Sequence, residues 1–442
     1  MEIFYLLIAV IAIIILTTKL KIHAFLALFI ISILYGIFTG MPYGDIITSI
    51  NDGFGGTLGK IGLIIVLGVI IGAFLEHTGG AFAIAEKVLG WIGRKRVPTA
   101  MGIIGYIVSI PVFADSGFML LHPLNKSLSK KAKISIAGPA IALGLGLMAS
   151  HTMVPPTPGP IAAAGILGAD LGLVIAFGFP TSIIALVVGI IFAKKYASKT
   201  MITPNVEDAL EAESEIKDST RALKASIPIL VPILLIVLKS VLNSMNIGQG
   251  NGLLDFINFV GEPVISLLIG VFLCLLLPKK LNYDMLSSAG WVGKAIKDAA
   301  SILLITGAGG IFGKILQNSG IADILGQTLT DYNMGIFLPF VLAAALKTAQ
   351  GSSTVALVTT ASIIMPMMAS LGFDTEIQKA LVVVVIGAGS AVISHANDSF
   401  FWVVTQMSGM NVKTGYRLFG LGTGVLGLTG AITVFVFYTI FV

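Results

Sequence analysis

The sequence is poor in charged residues and almost free of cysteine. Only 11% of its 442 residues are Asp, Glu, Lys or Arg, whereas soluble proteins carry about 25%. The single cysteine, Cys274, excludes an internal disulfide and a cysteine-based metal site. The H-E-x-x-H pattern and the G-x-S-x-G nucleophile elbow are also missing, which argues against an intramembrane enzyme. No cofactor is predicted.

Long apolar runs are what the chain has in abundance. Hydrophobic residues make up 56% of it, and the mean hydropathy is +0.99. Roughly 20 apolar residues cross a bilayer as one helix, so the runs predict an all-α, polytopic protein of the cell membrane. The N-terminal MEIFYLLIAVIAIIIL lacks a basic region and a cleavage site, which predicts a retained span rather than a signal peptide. The predicted spans lie at about 3–18, 22–40, 60–76, 134–168, 170–193, 226–246, 258–277, 299–318, 378–410 and 416–441.

The basic residues predict how the chain is oriented. On this layout, 22 of the 27 Lys and Arg residues fall on one side of the membrane. By the positive-inside rule that side is cytoplasmic, which places both termini outside. The net charge of +5 then reflects orientation and requires no nucleic acid partner. The polar stretch NVEDALEAESEIKDSTR predicts a cytoplasmic linker at 194–225 between two halves, 1–193 and 226–442.

The two halves resemble each other in sequence. IVLGVIIGAFLEHTGGA (65–81) matches ITGAGGIFGKILQNSGIA (305–322), and the pair Ser150-His151 matches Ser394-His395. Each half is predicted to hold five spans and one re-entrant hairpin, at about 97–125 and 334–372. Because five is an odd number of crossings, the second copy would be inverted. Inverted repeats around a central site are typical of secondary transporters.

Two of the predicted spans are interrupted by residues that do not continue a helix. The span at 134–168 contains HTMVPPTPGP (151–160), whose prolines remove backbone donors. The span at 378–410 contains the polar SHANDSFFW (394–402). Irregular backbone is tolerated at membrane depth only where it lines a cavity. Together with the hairpin tips FADSG (113–117) and AQGSST (349–354), these breaks predict four polar segments that converge near the midplane.

The ionisable residues of these segments are candidates for the site. His151 and His395 occupy the two breaks, where a histidine can bind a substrate, titrate near neutral pH or fix the break structurally. Asp398 is the leading predicted proton carrier and Asp115 the second, because an acid at membrane depth is costly unless protonated, paired or hydrated. The alternative for either acid is to cap the helix that follows it.

Basic and uncharged residues complete the predicted site. Lys347 either neutralises a substrate carboxylate, snorkels, or pairs with an acid such as Asp398. Glycine and hydroxyl residues at the tips offer N–H groups and close backbone approach to an anion. The remaining predicted substrate contacts are Ser116, Gly117, Thr152, Thr157, Gln350, Gly351, Ser352, Ser353, Thr354 and Asn397.

The chain resembles the gluconate permease family of the ion transporter superfamily, nearly end to end. The similar motifs are HTMVPPTPGPIAAAGILGADLG (151–172), ALKTAQGSSTVALVTTA (345–361) and GAGSAVISHANDSFFWVVTQMSGM (387–410). The resemblance implies proton symport of gluconate or a related sugar acid or hydroxy acid. It also implies a dimerising scaffold domain and a transport domain that carries two hairpins and two broken helices and moves as an elevator. Many relatives have a second histidine where this chain has Thr157.

Two coupling mechanisms remain open at this point. In the first, a proton accompanies the organic anion into the cell. In the second, sodium replaces the proton and is bound by carbonyl and hydroxyl oxygens of the GSS and NDS segments. A channel is less favoured, because paired half-hairpins suggest occlusion rather than a continuous pore.

Overall fold

The computed structural model describes residues 2–93, 96–203, 222–244, 252–320, 335–396 and 398–442. Within these ranges the regular secondary structure is helical, without strands. The described helices of nine or more residues are α1 Glu2–Thr18, α2 Ala24–Phe38, α3 Tyr43–His77, α4 Gly80–Ile92, α5 Val97–Val108, α6 Ala114–Lys131, α7 Ala137–Met153, α8 Pro158–Leu167, α9 Leu171–Lys195, α10 Ala222–Ser244, α11 Gly252–Val260, α12 Pro263–Cys274, α13 Trp291–Asn318, α14 Phe337–Gln350, α15 Ser353–Ile364, α16 Glu376–Ser390, α17 Ser399–Met407 and α18 Leu421–Phe441. Residues 204–221 of the predicted linker lie outside the described residues.

The lengths and compositions of these helices are those of a multi-pass membrane protein. Six helical stretches in the described ranges are long and apolar enough to cross a membrane, or seven if the bent pair α11 and α12 counts as one span. The two members of that pair are inclined by 69°, a bend that the sequence analysis does not predict. Pro263 begins α12, and proline starts a helix readily but does not extend the preceding one.

Helix α3 is longer than the sequence predicts. It begins at Tyr43 rather than near residue 60 and runs for 35 residues to His77. Its N-terminal half contains NDGFGG (51–56). This polar and glycine-rich segment lowers the mean hydropathy, so hydropathy alone does not predict that the helix extends this far. A Cβ added at Gly53 would lie 2.6 Å from the carbonyl oxygen of Gly310 on α13. The missing side chain therefore lets the backbones of α3 and α13 approach closely.

Both interruptions lie inside the spans in which the sequence places them. Helix α7 ends at Met153, and α8 begins at Pro158 after four non-helical residues. Helix α16 ends at Ser390, and α17 begins only at Ser399. The first break is made by proline, and the second by a polar segment. Each break leaves one helix C-terminus and one helix N-terminus inside the protein.

Two pairs of short helices meet at tight turns next to these breaks. Residues 109–113 join α5 to α6, while Gly351 and Ser352 join α14 to α15. Gly351 has φ of +85°, a left-handed conformation that glycine adopts without steric cost. Helix α6 continues to Lys131, beyond the predicted end of the first hairpin at residue 125.

Helix α7 forms the centre of the molecule. Every residue of α7 except His151 is buried. A Cβ at Gly146 would overlap the carbonyl group of Gly102 on α5, so α5 packs directly against the α7 backbone. This packing fixes the C-terminal turn of α7, and with it His151, beside the turn between α5 and α6.

Candidate functional site

A cavity lies between the last turns of α7 and the starts of α6, α15 and α17. Its volume is about 250 Å³, slightly below the roughly 300 to 1,000 Å³ typical of small-molecule sites. Its wall contains residues from the first turn of α6, from the last turns of α7, from the turn between α14 and α15, and from the junction of the second break with α17. The lining residues are Ala114, Asp115, Met148, His151, Gln350, Gly351, Ser352, Ser353, Thr354, Asp398, Ser399 and Phe400.

Three helices begin at the wall of this cavity. Ala114, Ser353 and Ser399 are the first residues of α6, α15 and α17, and all three line it. A helix N-terminus carries a partial positive charge and unpaired N–H groups, which favour an anion. The backbone dipoles of these three helices alone therefore make the cavity electropositive.

These three helix N-termini differ in how well they can bind an anion, because two of them have an acidic residue beside them. Asp115 lies in the first turn of α6, and Asp398 caps α17 by accepting a hydrogen bond from the Phe400 N–H at 3.0 Å. Helix α15 has no acid in its first turn. Its cap is the hydroxyl of Ser352, which accepts from the Val355 N–H at 3.3 Å. The start of α15 is therefore the place where an external carboxylate meets the least repulsion.

A buried ion pair ties the second turn to the second break. Lys347 Nζ lies 2.7 Å from Asp398 Oδ2, and the two side chains are 0% and 6% exposed. Lys347 also donates to the Gly351 carbonyl, and the Ser394 hydroxyl donates to Asp398 Oδ2. Because every charge in this pair is compensated, it adds no net charge to the cavity. Of the alternatives for Lys347, the pairing with Asp398 is the one observed.

Three polar side chains in the cavity wall have buried atoms without a hydrogen-bond partner in the described part of the chain. They are Asp115 through Oδ1, His151 through Nδ1, and Gln350 through both Nε2 and Oε1. A buried polar group left unsatisfied costs about 1–3 kcal/mol. Such groups converging on one cavity indicate a polar ligand that supplies donors as well as acceptors.

The predicted site residues divide into those that line the cavity and those that do not. The lining residues are Asp115, His151, Gln350, Gly351, Ser352, Ser353, Thr354 and Asp398. Outside the wall are Ser116, Gly117, Thr152, Thr157, Lys347 and His395. Asn397 lies outside the described residues.

The residues outside the wall have local structural contacts. The Thr152 hydroxyl donates to the Met148 carbonyl at 2.9 Å, and the Thr157 hydroxyl donates to the Val154 carbonyl at 2.6 Å. His395 Nε2 lies 2.6 Å from the Thr348 carbonyl oxygen. These hydrogen bonds fix the ends of the broken helices and hold His395 against the second hairpin.

Four lining residues are missing from the sequence-based prediction: Ala114, Met148, Ser399 and Phe400. Met148 lies one helical turn before His151 and on the same face of α7. The helical period of the sequence could therefore have predicted that Met148 lines the cavity beside His151. Ser399 and Phe400 follow Asp398 directly. Their place in the wall depends on where α17 begins, which the polar composition of the break does not reveal.

Comparison with known proteins gives similarity over the whole chain. The family model described as GntP family permease matches residues 1–440. An uncharacterized permease of Haemophilus influenzae is 35% identical, over 99% of this chain and 92% of its own length. A gluconate permease of Pseudomonas aeruginosa is 31% identical over 96% and 95%, and the high-affinity gluconate transporter of Escherichia coli is 29% identical over 96% and 96%.

Two solved structures share the fold at low sequence identity. The YdaH transporter of Alcanivorax borkumensis superposes with a TM-score of 0.63 at 15% identity, over 89% of this chain and 88% of that chain. MtrF of Neisseria gonorrhoeae gives a TM-score of 0.63 at 14% identity, over 88% and 83%.

Proposed function

This chain belongs to the GntP permease family and is a membrane permease rather than an enzyme, and we propose that it is a proton-coupled symporter for a small hydroxylated organic anion. Gluconate or a related sugar acid is the proposed substrate, since several relatives in the family are named for gluconate. The observation that carries the proposal is the cavity itself. It combines three helix N-termini with unpartnered polar atoms of Asp115, His151 and Gln350.

The substrate carboxylate is proposed to bind at the start of α15. Ser352, Ser353 and Thr354 lie there and line the cavity, and no acid shares the first turn of this helix. Backbone N–H groups at a helix N-terminus bind carboxylates through hydrogen bonds and the helix dipole. The left-handed Gly351 lets the chain turn sharply before these groups.

The substrate hydroxyls are proposed to bind Gln350 and His151. The side-chain amide of Gln350 offers a donor and an acceptor, and both lack a partner. A carboxylate satisfies only the donor, whereas a hydroxyl satisfies either atom. This difference favours a hydroxylated acid over a simple carboxylic acid of the same length.

The charge balance of the cavity points to Asp115 as the coupling acid. Lys347 and Asp398 compensate each other, and His151 lies in the same wall. When His151 is neutral, an ionised Asp115 leaves the cavity with one net negative charge, facing an anionic substrate. Protonation of Asp115 removes that repulsion, so proton binding and anion binding favour each other. Asp115 thus precedes Asp398 as the proposed proton carrier, the reverse of the order predicted from the sequence.

An elevator mechanism is also proposed. Its support is the order that α3–α9, apart from α4, shares with α13–α18 in the described chain: a long helix, a hairpin of two short helices, a broken helix and a long helix. Both hairpins, the last turns of α7 and the second break surround one cavity. These elements would move together, while α3 and α13 would belong to the scaffold. The protein is further proposed to be a homodimer whose chain termini lie outside the cytoplasm. Light scattering in detergent, which measures the mass of the protein in the complex, tests the dimer.

Thermal unfolding of the purified protein tests the substrate proposal, because a ligand that binds the folded state raises its melting temperature. The panel contains gluconate, glycerate, acetate and a dicarboxylate, each at two pH values and with or without sodium. We expect stabilisation by the hydroxylated monoacids, larger at the lower pH and independent of sodium. Stabilisation that requires sodium would instead support sodium coupling.

A matched pair of variants assigns the effect to the cavity. Asp115→Asn should remove the pH dependence of the stabilisation by gluconate. Asp298→Asn changes an exposed acid on α13 and should leave it intact. If both variants behave like the wild type, Asp115 is not the coupling acid.

A further inference from the structure

A second cavity, separate from the substrate site, lies between α4, α5, α9 and α10. Its volume is about 400 Å³. Its wall is almost wholly apolar and includes Ile107, Phe179 and Leu230. Among the described residues of this wall, Lys87 is the one that carries a charge. A cavity with so few polar groups does not suit the hydroxylated anion proposed for the first site.

The dimensions of this groove match one leaflet of a bilayer. Its wall extends along α10 from Ala222 to Ile233, and eleven residues of helix rise about 16 Å. The hydrocarbon core of a membrane is about 30 Å thick, so half of it is about 15 Å. The groove is therefore about as long as one extended acyl chain within a leaflet.

A lysine and a tryptophan on α4 mark the level of the lipid headgroups. Lys87 Nζ lies 5.8 Å from the centre of the Trp91 ring, and Trp91 is 74% exposed. Exposed tryptophans and lysines concentrate at the boundary between hydrocarbon and water. Lys224, exposed on α10 directly after the lining residue Leu223, adds a second cation. Both lysines complement a phosphate.

We propose that this groove binds one acyl chain of an anionic phospholipid, whose phosphate contacts Lys87 while its glycerol region lies beside Trp91. The apolar wall would contact the acyl chain of the lipid, and the two lysines favour an anionic headgroup over a neutral one. The orientation predicted from the basic residues places this lipid in the inner leaflet. The bound acyl chain packs against α5, whose C-terminal end leads through residues 109–113 to Asp115.

Native mass spectrometry of the purified full chain tests the headgroup preference. The protein is equilibrated with equal amounts of dioleoylphosphatidylglycerol and dioleoylphosphatidylcholine. Each lysine near an anionic lipid favours it about fivefold, so we expect at least that excess of bound phosphatidylglycerol for the wild type. Lys87→Gln should reduce the preference about fivefold, to what Lys224 alone supports, whereas the control Lys297→Gln, at an exposed lysine on α13, should keep it. An unchanged preference in Lys87→Gln would overturn the proposal.

A second variant tests the groove rather than the charge. Leu230 lines the groove and is 53% exposed, so Leu230→Trp fills it without disturbing the buried core. We expect this variant to lose the tightly bound phosphatidylglycerol while keeping the melting temperature of the lipid-free protein. Retention of that lipid by Leu230→Trp would show that the lipid binds elsewhere on the surface and would refute the assignment.

Trp91 provides an independent optical signal. Phosphatidylglycerol with bromine on its acyl chains should quench its fluorescence, measured as the difference between the wild type and Trp91→Phe. Brominated phosphatidylcholine at the same concentration should quench it less. Equal quenching by both lipids would mean ordinary bilayer contact and would contradict a selective site.

Discussion

Replacing Asp115 by asparagine should separate anion binding from proton coupling. Asparagine keeps the size of the side chain and removes its ability to carry a charge. Asp115 lines the cavity, and its Oδ1 has no partner among the described residues. The variant should therefore fold normally and present the cavity in the state that a protonated Asp115 would give.

The size of the effect follows from the cavity. A sphere of about 250 Å³ is about 8 Å across, so we take about 8 Å as the distance between an ionised Asp115 and a substrate carboxylate at the start of α15. At an effective dielectric constant of about 20, two like charges at this distance repel by about 2 kcal/mol. That energy corresponds to about thirtyfold in affinity. The wild type should thus lose about thirtyfold in gluconate affinity as the pH rises through the titration of Asp115, and Asp115→Asn should not.

Reconstituted vesicles provide the assay. With gluconate inside the vesicles, exchange for labelled gluconate outside requires no net proton movement, so Asp115→Asn should keep it. Accumulation driven by an inward proton gradient requires a proton carrier, so the variant should lose it. Accumulation by Asp115→Asn at the rate of the wild type would refute the assignment of the coupling acid. Loss of both exchange and accumulation would refute the argument that neutral Asp115 is the binding state.

Three further predictions concern the ion pair, the specificity and the packing. Lys347→Met should lower the free energy of unfolding by about 3–5 kcal/mol because it leaves Asp398 buried and unpaired. The double variant Lys347→Met/Asp398→Asn should recover most of this loss. Equal melting temperatures for the single and the double variant would contradict this expectation. Gln350→Leu should weaken gluconate binding about tenfold, as expected from the loss of one or two hydrogen bonds of about 1 kcal/mol each, while acetate binding measured by calorimetry changes little. Gly146→Ala should destabilise by about 1–3 kcal/mol through overpacking, whereas Gly59→Ala, where a Cβ meets nothing within 4 Å, should be neutral or stabilising.

Much of the site follows from local chemistry in the sequence. Proline clusters and polar runs inside apolar spans are costly, so they mark irregular backbone, and irregular backbone at membrane depth lines a cavity. His151 and the residues from Gln350 to Thr354 are predicted in this way, and all of them line the cavity. Their local sequence is sufficient, whatever the packing of the helices.

The remaining features depend on tertiary contacts. Asp398 and Lys347 are 51 residues apart in the chain, so the sequence offers their pairing only as one of several alternatives for Lys347. The length of α3 is hidden because glycines such as Gly53 lower the local hydropathy while serving a close helix contact. Met148 lines the cavity only because α7 presents the same face as His151 to the two turns. Pairing and helix packing are properties of the assembled fold.

Uptake of labelled gluconate into vesicles that contain the purified wild-type protein tests the central claim most directly. An inward proton gradient without sodium should drive accumulation above equilibrium, and an ionophore that collapses this gradient should abolish it. An inward sodium gradient at equal pH on both sides should drive no accumulation. The proposed mechanism would be contradicted by accumulation that follows the sodium gradient and is indifferent to the proton gradient.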